Sequence, residues 1–345
     1  MTPRALALLA LLAACRSQLL DPGLVGDSGA GDLRRPASTD GGSGGGPGCL
    51  PPPDGGTAQC PCGAEGLCRP AGGRLSVQVL TNFGELRLLA MDDNGCRRRE
   101  VSADLPIGVP RWAADGERLA YLVAGQSRVR LKVIRVAPTG QVACRSELSL
   151  GDRRPSELAW GGERTLLLFG EGRLERFDLD AATAQPIELP GVEPARLRHF
   201  DARPQGPLVL AVRACDDPTC ETRLLLRPDP LRGELQLVTT IVAQRTGQPR
   251  LSADGRRLTF EADGLWLVDL PGGQGGAVVP AGARTPAFAW NDQALVFPTE
   301  EGGLAIRTLA GPNGALHELP RTWRRAFSPD WTPPPPSCAS MGRCP

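Results

Sequence analysis

One short pattern recurs six times along this chain. Pro110, Asp115, Leu119 and Tyr121 return at the same spacing as Pro249, Asp254, Leu258 and Phe260, and again as Pro286, Asn291, Leu295 and Phe297. Looser copies start near Ser156, Pro194 and Arg325. A repeat of roughly 40 to 50 residues built from short strands is the signature of a β-propeller.

Each copy reads as four strands. The first begins at the proline position. The second carries a Leu-x-Phe/Tyr pair, as in Leu119-Ala120-Tyr121 and Leu258-Thr259-Phe260, and strand alternation puts those two large side chains on one face. Asp115-Gly116, Asp254-Gly255 and Asn291-Asp292 supply turn chemistry between the two strands. Third strands are expected near 85–91, 131–136, 173–179, 222–227, 265–270 and 304–309, and fourth, outer strands near 98–101, 142–148 and 235–242. Residues 75–80 look like a second strand with no first strand before it. Residues 326–330 look like a first strand with none after it. Together they complete a blade, which closes the ring and removes exposed sheet edges. The expected fold is therefore all-β, a six-bladed β-propeller over 71–331, with five continuous blades and one closed by the two ends of the chain. No gap between third strands leaves room for a seventh.

Phe327-Ser328-Pro329-Asp330, with Trp112-Ala113-Ala114-Asp115-Gly116 and Leu251-Ser252-Ala253-Asp254-Gly255, resembles the WD40-like (PD40) repeat of TolB-type six-bladed propellers. The resemblance spans about 75–331. It implies that Asp115, Asp254 and the tryptophans build blades. The chain has no counterpart of TolB's separate N-terminal α/β domain, so TolB's own partners do not carry over.

Residues 1–14 have the form of a secretory signal: a charge at Arg4, then an apolar run from Ala5 to Ala14 that is too short to span a bilayer. The run ends Leu12-Ala13-Ala14-Cys15, which resembles the bacterial lipoprotein box. That resemblance implies a mature chain lipidated at Cys15 and held on a membrane by several acyl chains. Arg16, rather than aspartate, follows the cysteine, which in this resemblance favours the outer membrane over inner-membrane retention. Residues 15–48 are rich in Gly, Ser, Asp and Pro and read as a flexible tether. Gly26-Asp27-Ser28-Gly29, within that tether, has no catalytic histidine or aspartate before it and is not a protease motif.

Cys15 aside, ten of the eleven cysteines remain, and an even count in an exported chain points to disulfides. Cys215 and Cys220 bracket a hairpin tip, and Cys338 and Cys344 close a small loop in the tail, 332–345. Cys49, Cys60, Cys62 and Cys68 lie in a cysteine-rich segment, 49–70, where two disulfides fit better than zinc because no histidine is near. Pairing Cys96 with Cys144 is the simplest completion, although outer strands of adjacent blades splay apart.

Hydrophobic residues make up 41% of the chain, enough for a sizeable core, and the formal net charge of +1 makes no electrostatic case for nucleic acid. The two histidines, His199 and His317, sit in different repeats without spaced ligands. Asp92-Asp93-Asn94-Gly95 reads as a hairpin turn rather than a calcium loop. No hydrolase elbow or phosphate loop is present, so the sequence assigns no catalytic residue, metal or cofactor. Four first strands carry arginine near their start: Arg111, Arg196, Arg250 and Arg325. At equal height in a central channel these would form a guanidinium ring for a carboxylate or an acidic loop. The function expected is a lipid-anchored, non-catalytic scaffold binding a protein or envelope polymer. The alternative is a channel-mouth hydrolase or lyase acting on glycans or peptides.

Overall fold

The computed structural model describes residues 73–332, apart from 93–97, 103, 105, 126, 137–141, 216–220, 244–245, 273, 280–282, 311–313 and 320–322. The expected signal, tether and cysteine-rich segment, with Cys15, Cys49, Cys60, Cys62 and Cys68, lie outside the described residues. So do Cys96, Cys220, Cys338 and Cys344. Among the described residues no helix is long and apolar enough to cross a membrane.

Six four-stranded antiparallel sheets stand in a ring, one per repeat. Blade 1 is the shared one: Arg325–Thr332 from the end of the chain pairs with Arg74–Leu80, and Leu86–Asp92 and Arg99–Ser102 follow. The first, innermost strands of blades 2 to 6 are Pro106–Trp112, Glu157–Gly162, Leu197–Ala202, Arg250–Leu251 and Ala287–Phe288. Each contacts the next, and the last contacts Arg325–Thr332, which closes the ring. The third strands are Leu86–Asp92, Val129–Val136, Arg173–Asp178, Thr222–Arg227, Leu265–Asp269 and Leu304–Thr308. All six fall within two residues of the spans expected from the sequence.

The pairing register explains why the repeat is built as it is. Leu75, Leu119, Leu166, Leu208, Leu258 and Leu295 each stand near the start of a second strand. They face Trp331, Trp112, Trp160, Ala202, Leu251 and Phe288 of the first strands. All six leucines are 0% exposed, and burying a leucine side chain stabilises by about 1.5–3 kcal/mol. Each joins an apolar cluster between its own blade and the one before. Trp112, Leu119 and Tyr121 of blade 2, for example, meet Leu88, Ala90 and Val101 of blade 1. The turns are held by the repeated acids. Asp115 Oδ1 accepts from the Glu117 and Arg118 amides at 2.9 and 3.0 Å, and Asp254 Oδ1 accepts from the Arg256 amide at 2.9 Å.

The register corrects one reading of the sequence. Phe327-Ser328-Pro329-Asp330 is not the counterpart of the turn motif that starts at Trp112. It lies inside the strand Arg325–Thr332, and Trp331 occupies the place of Trp112. A bulge between the residues facing Ser76 and Gln78, with Ser328 at φ 43°, adds a residue to this strand. In this register Asp330 takes the place of Arg111, four residues before that of Asp115.

Cys144 lies on the outer strand of blade 2, and Cys215 just after the second strand of blade 4. The partners expected for them lie outside the described residues.

Candidate functional site

The residue just before each leucine-facing position makes a level of its own in the channel. From blade 1 to blade 6 these residues are Asp330, Arg111, Ala159, Asp201, Arg250 and Ala287. An Asp-Arg-Ala trio therefore occurs twice, three blades apart. In both trios the aspartate accepts the backbone N–H that follows the arginine in the next blade. Asp330 Oδ2 accepts from Trp112 at 2.7 Å, and Asp201 Oδ2 accepts from Leu251 at 2.8 Å.

The guanidinium groups break this two-fold pattern. Arg111 donates from Nε to the Leu158 carbonyl at 3.2 Å, from Nη1 to Asp330 Oδ1 at 3.4 Å, and from Nη2 across the channel to Asp201 Oδ1. Arg250 is 1% exposed, yet none of its three nitrogens has a hydrogen-bond partner among the described residues. Its Nη1 stands 4.0 Å from Asp201 Oδ1, beyond hydrogen-bond reach. Burial pushes the carboxyls of Asp201 and Asp330 up from their ordinary values, and the Arg111 charge acts against it.

Above this level the first strands turn into the second strands and enclose a pocket of about 180 Å³. Arg111 and Asp330 line it on the ring side, and Arg203 lines it from the blade 4 turn. Trp112, Trp160, Trp290, Trp331 and Phe288 supply the aromatic wall, so four of the chain's six tryptophans converge here. One is anchored from outside. Trp160 donates Nε1 to the Arg111 carbonyl at 2.9 Å, and the Arg118 guanidinium lies over its ring at 5.0 Å. Gly73 lies so close to Trp331 and Trp290 that a Cβ there would stand 2.3 Å from Trp331 Nε1. Trp290 remains 37% exposed.

Two residues before Ala159 and Asp201 along their strands, Glu157 and His199 meet, with Glu157 Oε1 2.5 Å from His199 Nδ1. The Phe200 amide donates to Glu157 Oε2 at 3.3 Å. In the sequence His199 stands without spaced ligands, and nothing singles out Glu157. The signal was their shared place in consecutive repeats, visible once the strands are in register. His317 lies on the exposed outer strand of blade 6. Among the described residues no group of three His, Cys, Asp or Glu side chains could hold a metal ion.

No protein-family model matches the chain, and no curated protein matches it. Among solved structures it is similar to TolB from Acinetobacter baumannii, with a TM-score of 0.61 and 17% identity over 75% of this chain. The chain spans 66% of TolB's length. A chain of a nidogen–laminin complex is similar with a TM-score of 0.57 and 12% identity, over 75% of this chain and 98% of that one. The chain is a six-bladed β-propeller, similar in fold to TolB. At such identities the likeness is one of fold.

In this propeller the four arginines singled out in the sequence occupy two levels, not one. Arg111 and Arg250 share the channel level described above. Arg196 lies in a 3-10 turn five residues before Asp201, with Nη1 donating to the Ala214 carbonyl at 2.9 Å and Nε 2.8 Å from Glu193. Arg325 lies five residues before Asp330, exposed at the start of its strand and over the Phe327 ring. The channel ring therefore holds two arginines and two aspartates rather than four guanidinium groups.

Proposed function

We propose that this chain is a lipid-anchored, non-catalytic propeller that binds a protein or an envelope polymer at the bacterial cell envelope, with the tryptophan-lined channel mouth as its binding face. The observation that carries this reading is the pocket itself. Four tryptophans and Phe288 surround charged groups that already bond to one another, an arrangement suited to recognition by aromatic anchors. The lipoprotein-like Leu12-Ala13-Ala14-Cys15 supports anchoring, and Arg16 supports the outer membrane. We assign Cys215 to Cys220, Cys144 to Cys96 and Cys338 to Cys344. Crosslinking in native envelopes followed by mass spectrometry tests the reading. The wild type should capture one partner reproducibly, and Trp290→Ala should weaken capture roughly tenfold, the loss of one anchoring aromatic. Capture of nothing, or equal capture by Trp290→Ala, counts against the mouth as the binding face.

The Glu157–His199 pair favours a second reading, a hydrolase or lyase acting on glycans or peptides. A carboxylate on Nδ1 orients imidazole so that Nε2 is the free base. Under this reading the purified chain releases products from envelope glycans or peptides, and Glu157→Gln lowers that rate by about 10²-fold or more. Absence of product release from the wild type removes this reading.

A further inference from the structure

We propose that the channel holds a carboxylate-binding site built on Arg250 and Thr259. The proposal deepens the scaffold reading, because it rests on the channel being the binding route and names the chemical group received there.

The two Asp-Arg-Ala trios provide an internal comparison. Arg111 has all three guanidinium nitrogens engaged. Arg250 holds the same place three blades away and has none engaged in a hydrogen bond among the described residues. Its nearest carboxylate oxygen, Asp201 Oδ1, stands 4.0 Å from Nη1 and is turned to Arg111, while Oδ2 accepts from the Leu251 amide. Deprotonation is closed to a guanidinium, so the charge stays, and a buried charge without a bonded partner is strongly unfavourable. Thr259 stands directly opposite Arg250 across the strand pair, which puts the two side chains on the same face. Thr259 Oγ1 is likewise buried and without a partner among the described residues. A planar fork with a hydroxyl beside it is a donor set for two oxygens in one plane, as in a carboxylate.

Asp201 and Asp330 both feel the Arg111 and Arg203 charges, and Asp201 is the carboxylate nearest Arg250. Arg111, Ala159 and Asp330 of the same ring line the mouth pocket, and we place the approach to Arg250 on that side.

Thermal unfolding of the purified full-length chain, titrated with sodium acetate against sodium chloride at equal ionic strength, tests the site. Acetate should raise the melting temperature saturably and chloride should not. Arg250→Met should weaken acetate affinity by about tenfold or more, and Thr259→Val should weaken it less. Arg325→Gln, outside the ring, should leave it unchanged. If Arg250→Met does not fold, Thr259→Val still provides the readout. An acetylated pentapeptide with a free C-terminus, compared with its amide, separates the sources. A shift with acetate alone assigns a small free acid. A shift with the peptide that amidation abolishes assigns a chain end. Indistinguishable acetate and chloride curves in the wild type overturn the proposal, as does an acetate shift undiminished in both variants. Partner capture by the Trp290→Ala route is read without acetate, so failure of the site and failure of the scaffold reading remain distinct.

Discussion

A chain ending at Arg324 is expected to lose cooperative folding. The deletion removes Arg325–Thr332, the strand that pairs with Arg74–Leu80 and closes the ring. It takes Ala326 and Trp331 out of the cluster shared by blades 6 and 1. It also removes Asp330, and with it an acceptor of the Trp112 amide and a carboxylate partner of Arg111. Losing one ladder, one inter-blade cluster and one buried ion pair together approaches the whole margin of a typical domain, roughly 5–15 kcal/mol. The uncovered edge of Arg74–Leu80 would invite association between chains. Near-ultraviolet circular dichroism and gel filtration should show lost tertiary signal and higher-order species. A truncated monomer with a sharp wild-type melt would contradict the closure described here. Adding the peptide 325–332 back in trans should restore part of the signal.

Asp201→Ala should be the most damaging single substitution in the channel, at about 3–5 kcal/mol, because it leaves buried charge uncompensated. Arg111 Nη2 loses its acceptor across the channel, Arg250 loses its nearest carboxylate oxygen, and the Leu251 amide loses its partner. Asp201→Asn should cost less, since an amide oxygen still accepts one of these donors. Adding Arg250→Met to Asp201→Ala should recover part of the loss, because one stranded cation is then gone. Urea unfolding of the three variants measures this series. Equal stability of Asp201→Ala and the wild type would show that the ring charges do not hold the blades together.

Much of this was legible from spacing. The leucine that recurs at Leu119, Leu258 and Leu295 returns in the loose copies as Leu75, Leu166 and Leu208, all fully buried. A position that must fill the space between blades tolerates little else, so it survives where the turn residues have drifted. The charged ring was only half visible. Arg111 and Arg250 stood out because both follow the proline of a regular repeat. Asp201 and Asp330 did not, because the loose copies, aligned at Pro194 and Arg325, place Arg196 and Arg325 five residues before them. That offset made Arg196 and Arg325 look like members of a ring to which they do not belong. Glu157 and His199 were hidden for a related reason: their contact crosses two blades, 42 residues apart.

The sequence alone determined the blade count and the closure, because short strands at a regular period have apolar faces that only stacked neighbours can cover. Tertiary structure alone decided the channel. Which side chains share one height depends on strand register, and register shifts with each bulge. The pairing of Arg111 with two aspartates, and the burial of Arg250 without a hydrogen-bond partner among the described residues, follow from that alignment and from nothing local in the chain.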